Sequence, residues 1–195
     1  MEKQKKIKTA VVTVISLLAA CIVFGAIVYY NEQNKYNFTG QSSQGKISLS
    51  DLKGQNVVIY FGYTYCPDVC PITLETLSKA VESLKDYNIT AKDLLLLYVT
   101  LDPARDTPEA LDEYAVWFYP NGMGIRFEEA DLQKITKIYN IKYEIFPMEG
   151  SAVDYSVAHS SALFFFNKEG KLVDRITNLT VDNMAASIKK VMGIK

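Results

Sequence analysis

An α/β fold on a mixed β-sheet, held to a membrane by an N-terminal helix, is predicted by three observations on this sequence. Residues 9–30 carry no charge and follow Lys3, Lys5, Lys6 and Lys8. A β-rich run, Asn56-Val57-Val58-Ile59-Tyr60, leads through a loop with two of the three cysteines into residues 72–87, where Leu74, Leu77, Val81 and Leu84 recur at helical spacing. Two short, almost wholly apolar runs, residues 94–99 and 162–166, then alternate with further helical patterns.

The N-terminal segment comes first. Its 22 uncharged residues would form a helix of about 33 Å, enough to cross a hydrocarbon core of about 30 Å. Residues 1–8 then read as a basic cytoplasmic tail and residues 9–30 as a transmembrane anchor, with the rest of the chain exported. A competing reading is a bacterial lipoprotein signal, because Leu18-Ala19-Ala20-Cys21 resembles a lipobox. Against it, the apolar run continues from Ile22 to Tyr30, where a mature lipoprotein normally turns polar. On either reading the domain is tethered to a membrane and faces an oxidising compartment.

Residues 31–44 are polar and read as a tether leading into the domain. Ile47 and Leu49 alternate with Ser48 and Ser50 as a short strand, and Lys53-Gly54 turns the chain into the strand 57–60. The continuous apolar run 94–99, with a helix on each side, suits a strand buried on both faces of a parallel sheet. Asp102-Pro103-Ala104-Arg105-Asp106-Thr107-Pro108 ends it, with Thr107 as N-cap and Pro108 opening a helix to about Tyr119. Residues 128–139 are helical by the spacing of Leu132, Ile135 and Ile138. Residues 155–161 lead as a loop into the strand 162–166, Asn167-Lys168-Glu169-Gly170 turns it back along 172–176, and a helix from about Val181 closes the chain. An early βαβ unit, a later hairpin and a last helix, with a dithiol between the first main strand and its helix, is the order of a thioredoxin-like fold.

The 195 residues, 49% hydrophobic and 22% charged, suffice for one core-bearing domain, and a net charge of −1 argues against nucleic-acid binding. Three cysteines are too few for a disulfide scaffold. Cys66 and Cys70, spaced C-x-x-x-C, lie about one helical turn apart. Pro71 suits the first helical position and puts Cys70 near the N-cap, where the helix dipole favours thiolate over thiol. The pair reads as redox-active, as metal-binding, or as a local structural disulfide. His159, the only histidine, stands just before the apolar strand 162–166, where a loop could project toward the dithiol. Two thiolates and one imidazole form a soft, three-ligand set suited to copper, whereas structural zinc would want a fourth ligand.

Three separated motifs carry a resemblance. Phe61-Gly62-Tyr63-Thr64 with Cys66-Pro67-Asp68-Val69-Cys70-Pro71, then Asp102-Pro103 with Arg105-Asp106-Thr107-Pro108, then Tyr155-Ser156-Val157-Ala158-His159-Ser160, resemble the Sco/SenC family from about Asn37 to the C-terminus. These are membrane-anchored, thioredoxin-fold copper proteins that help assemble cytochrome c oxidase. The resemblance implies a domain over residues 37–195 behind a tether at 31–36, and metal ligands at Cys66, Cys70 and His159. It further implies copper as cargo, oxidase subunit II as partner, and a bacterial inner membrane location with the C-terminal domain on the periplasmic side. Phe38 and Gly45 fit the family's opening segment, but Gly40 and Ser42 replace its usual Leu and Asp. Ala158 stands where the family commonly has Asp, which bears on the imidazole's outer partner. Asp102, Arg105 and Asp106 read by themselves as turn and capping residues; by the resemblance they line a face presented to a partner.

Three functions follow as expectations. The first is a metallochaperone passing copper from Cys66, Cys70 and His159 to the dinuclear copper centre of subunit II. The second is a thiol-disulfide reductase in which Cys66 attacks a disulfide of that site and Cys70 resolves the mixed disulfide. The third is a tethered binding module with an inert disulfide.

Overall fold

The computed structural model describes residues 2–148, 150 and 153–194, without the side chains of residues 3–12, 14 and 33. The charges of the basic tail therefore lie outside the described side chains. The chain divides into two compact units, one ending at Lys35 and one beginning at Tyr36.

The first unit is α1 (Glu2–Gln33), continuous over 32 residues. Its segment Ile15–Glu32 has a mean hydropathy of 1.6 and is long and apolar enough to cross a membrane. Ile22, Phe24, Tyr29 and Tyr30 are all exposed on it. A segment of this length that is apolar on every side suits a lipid environment. Cys21 sits on this helix as an exposed free thiol.

The second unit opens with an antiparallel hairpin, β1 (Thr39–Ser42) and β2 (Gly45–Ser48). The polar stretch read as a tether to about Gln44 is therefore already folded by residue 38. Phe38 is buried edge-on against Phe127, and Gly45 takes a φ of +117° at the hairpin turn. Gly40 has a packing reason: a Cβ there would stand 2.5 Å from Ile125 Cγ2. Buried Ser42 donates to the Gly45 carbonyl at 2.9 Å.

The core is a five-stranded mixed sheet whose strands lie in the order 122–125, 94–100, 56–62, 163–166 and 172–176. The strands β3 (Asn56–Gly62), β4 (Leu94–Thr100) and β5 (Gly122–Ile125) run parallel, and β8 (Leu163–Phe166) and β9 (Leu172–Ile176) are antiparallel additions. Every residue of β3 and β4 is buried, the pattern of central parallel strands covered on both faces. Alternation along β3 separates two layers. Phe61, with Phe164, meets the ring of Tyr139; Tyr60 meets Tyr98, which stacks on Tyr114.

Among the described residues of this unit, four α-helices flank the strands: α2 (Val69–Glu82), α3 (Pro108–Phe118), α4 (Glu129–Ile138) and α5 (Val181–Val191). The Thr107 and Thr180 side chains cap α3 and α5, accepting from Ala110 N and Asn183 N. The helix after the dithiol starts earlier than Pro71 implies. Asp68 is its N-cap, so Cys70 and Pro71 are the second and third helical residues. Proline is tolerated there because the first-turn amides have no intrahelical acceptor. That helix also ends at Glu82 rather than continuing to Tyr87, where a short 3₁₀ turn closes on Asn88 with a φ of 56°. Residues 155–159, expected as loop, form β7 (Tyr155–His159) and pair antiparallel with β6 (Tyr143–Pro147). This ribbon is a separate two-stranded sheet.

Candidate metal centre

The centre forms where β3 ends and α2 begins. Cys66 lies in the turn between them, with its amide on the Tyr63 carbonyl at 3.2 Å. Its Sγ accepts the Cys70 amide at 3.4 Å, so the sulfur satisfies a first-turn donor that would otherwise have no acceptor. Cys70 is fully buried on the first turn of α2, while Cys66 retains 9% exposure. Both are free thiols.

His159 arrives from the ribbon. Its Nε2 stands 3.7 Å from Cys70 Sγ, and its Nδ1 meets the Ser160 carbonyl at 3.3 Å. The ring packs edge-on against Tyr60 and Tyr63, and the Tyr63 hydroxyl reaches Ser156 Oγ at 3.2 Å. Ala158 is exposed and registers with Glu144 across the ribbon. The imidazole's outer nitrogen is thus placed against a backbone carbonyl. Among the described residues, the two sulfurs and the imidazole nitrogen are the one set of three metal-ligating side chains that converge, all within 4.8 Å of one another.

Glycine 62 makes room for this convergence. A Cβ there would lie 2.8 Å from Cys70 Sγ and 2.7 Å from the Tyr98 hydroxyl. A glycine inside a strand is the sequence signal for such a close approach, and Gly62 stands in the first of the three motifs. The Tyr60 hydroxyl donates toward Cys70 Sγ at 3.8 Å; burial, then the neighbouring sulfur, hold its pKa far above that of a free phenol. Buried Asp106 accepts from Thr64 N at 3.2 Å and from the hydroxyls of Thr64 and Thr100 at 2.5 Å each. It ties the loop after β3 to the end of β4.

The two thiols are electrostatically unlike. A hydrogen bond from the Cys70 side chain, opposed by burial and aided by His159 and the Cys70 amide, pushes the Cys66 pKa well down. The hydrogen bond to Cys66 and then burial push that of Cys70 up. One thiolate, one buried thiol and one imidazole suit a soft ion, whose arrival would displace the remaining proton. Their spacing permits a single ion between them.

A family model described as SCO1/SenC matches residues 29–193. A SCO2-like protein of Rickettsia conorii is 37% identical over 128 residues, covering 65% of this chain; the chain spans 61% of that relative's length. Among solved structures, Arabidopsis thaliana ScoI with copper bound is similar with a TM-score of 0.72 at 27% identity, over 80% of this chain and 96% of that one. Yeast Sco1 with copper bound has a TM-score of 0.64 at 31% identity, over 78% and 87%.

Proposed function

Because the chain belongs to the SCO1/SenC family, we propose that it binds copper through Cys66, Cys70 and His159 and delivers it to the dinuclear copper centre of cytochrome c oxidase subunit II. The observation that carries the reading is the convergence of two sulfurs and one imidazole nitrogen from separate segments within 4.8 Å. The copper-bound relatives support the choice of ion. Transfer proceeds by ligand exchange: acceptor thiolates enter as this chain's ligands leave, with no change in the ion's charge. Cys66, at the rim, is the ligand an acceptor can reach; Cys70, beneath Tyr60 and Gly62, is the one that holds.

In this reading α1 anchors the chain in a bacterial inner membrane. The lysines before the apolar run favour a cytoplasmic N-terminus and a periplasmic domain. The copper-binding domain is taken as residues 37–195; the second compact unit begins at Tyr36, and the family match runs over residues 29–193.

A second reading is favoured by the asymmetry of the thiols. The Cys66 thiolate can attack a disulfide of the acceptor's copper site and form a mixed disulfide. Cys70 then loses its proton, attacks Cys66 Sγ and releases the acceptor as a dithiol, leaving a Cys66–Cys70 disulfide. The deciding experiment measures copper content of the purified, reduced full-length protein beside His159→Ala. One copper per chain, bound about 10-fold or more weaker in the variant, supports the chaperone. Unchanged affinity in His159→Ala, with disulfide exchange intact, would leave the reductase.

A further inference from the structure

Among the described residues, the ribbon that carries His159 shares no strand pairing with the central sheet. A two-stranded ribbon is only marginally stable by itself, so side chains must fix its position over the dithiol. At its His159 end the chain passes through residues 160–162 directly into β8. At the other end, Tyr155 is held by Arg105 and Asp102, with the Tyr63–Ser156 hydroxyl contact and buried Val157 next along the strand.

Arg105 lies in the turn after β4, with its amide on the Asp102 carbonyl at 3.2 Å. Its Nε donates to Asp102 Oδ2 at 2.5 Å and its Nη1 to the Tyr155 carbonyl at 3.0 Å. The guanidinium lies 3.7 Å from the centre of the Tyr155 ring and 4.7 Å from that of Tyr65, the residue before Cys66. The Tyr155 hydroxyl donates to the other Asp102 oxygen at 2.7 Å, so one buried carboxylate holds both Arg105 and Tyr155. One planar cation thereby touches the end of β4, the dithiol loop and the strand bearing His159.

Resting on the metal-site reading above, we propose that Arg105 is a positioning residue: it pins the free end of the ribbon so that His159 stays against Cys70. Without it the strand keeps the Tyr155–Asp102 and Tyr63–Ser156 contacts and buried Val157, and the imidazole is held less closely against the dithiol. Lysine cannot replace it, because an ammonium on Asp102 offers neither the planar fork to the Tyr155 carbonyl nor the stack between two tyrosines.

The test uses full-length protein in nanodiscs, with Arg105→Lys as the variant most certain to fold and Arg105→Ala beside it. Amide exchange is measured first, without metal. The expectation is faster exchange across residues 143–159 in Arg105→Lys, with β3 and β4 amides unchanged. Unchanged exchange in the ribbon, or acceleration spread evenly over the sheet, would overturn the proposal whatever the metal does. Copper(I) affinity is then measured by competition with a chromogenic chelator. Arg105→Lys should weaken binding about 10–100-fold, the usual cost of losing an outer partner of a ligand. In the double variant with His159→Ala the two losses should not add, because Arg105 acts through the imidazole. Full additivity would place its effect elsewhere and sink the proposal.

Discussion

Cys70 Sγ and His159 Nε2 stand 3.7 Å apart although 89 residues separate them in the chain. The first is held by a helix and the central sheet, the second by a ribbon outside that sheet. The pair is therefore a joint between two bodies of structure, and the predictions probe what keeps it closed and what it makes reactive.

Cys66 should react as a thiolate far below the ordinary cysteine range. In a Cys21→Ala background, the alkylation rate of the reduced protein at pH 6 should be close to its value at pH 8. A free thiol of pKa about 8.5 would be only about 0.3% ionised at pH 6. The lowered pKa also stabilises the fold fully above about pH 8.5, and by less as pH falls through the lowered value. The raised Cys70 has the opposite sign, its contribution full below about pH 8.5 and lost above it. A rate that climbs tenfold per unit up to pH 8.5 would show that the Cys70 contacts do not hold Cys66 ionised.

Gly62→Ala should damage the centre by volume alone. The new methyl would meet Cys70 Sγ at 2.8 Å and Tyr98 at 2.7 Å, and an overfilled core of this kind costs about 1–3 kcal/mol. Thermal unfolding should fall by about 2–4 °C per kcal/mol, with copper affinity reduced in the same variant. Wild-type melting and wild-type affinity together would mean that the strand end yields freely.

Asp106 is a buried carboxyl whose pKa is pushed up, by burial first, with hydrogen bonds from the two threonines opposing. Its sign follows: relative to the unfolded chain, the folded protein favours the protonated form, so this group stabilises fully below about pH 3.9 and loses that contribution as pH rises through its raised value. Asp106→Asn keeps an oxygen for Thr64 N and Thr100, and its amide can donate to a rotated Thr64 hydroxyl. Urea midpoints from pH 4 to 7 should therefore rise toward acid more in the wild type than in Asp106→Asn. Parallel curves would contradict the shift.

Topology has its own readout. A reporter fused after Lys195 should be active only outside the cytoplasm, since the lysines precede the apolar run. Intact mass then separates an uncleaved anchor from acylation at Cys21, which would remove the first 20 residues and add lipid. Reporter activity inside the cytoplasm would refute the placement.

The sequence by itself determined the apolar helix, the buried strands and the dithiol, because each is written in neighbouring residues. The continuous apolar run from Leu94 to Val99 suits a strand covered on both faces, and four residues of spacing keep Cys66 close to Cys70, although Cys66 lies in the turn before the helix and not on it. His159 stands out in the sequence as a candidate ligand through its motif, and the structure brings its imidazole to the dithiol. The ribbon that carries it was not legible, because Tyr155 to His159 lacks strict apolar alternation and its partner, Tyr143 to Pro147, leaves Ile145 and Phe146 exposed. Tertiary structure alone decided that Gly62 clears the space for Cys70, and that Arg105 joins Asp102, Tyr65 and Tyr155. Those relations depend on distances between segments up to 50 residues apart, set by strand order and crossover, on which local propensity has no hold.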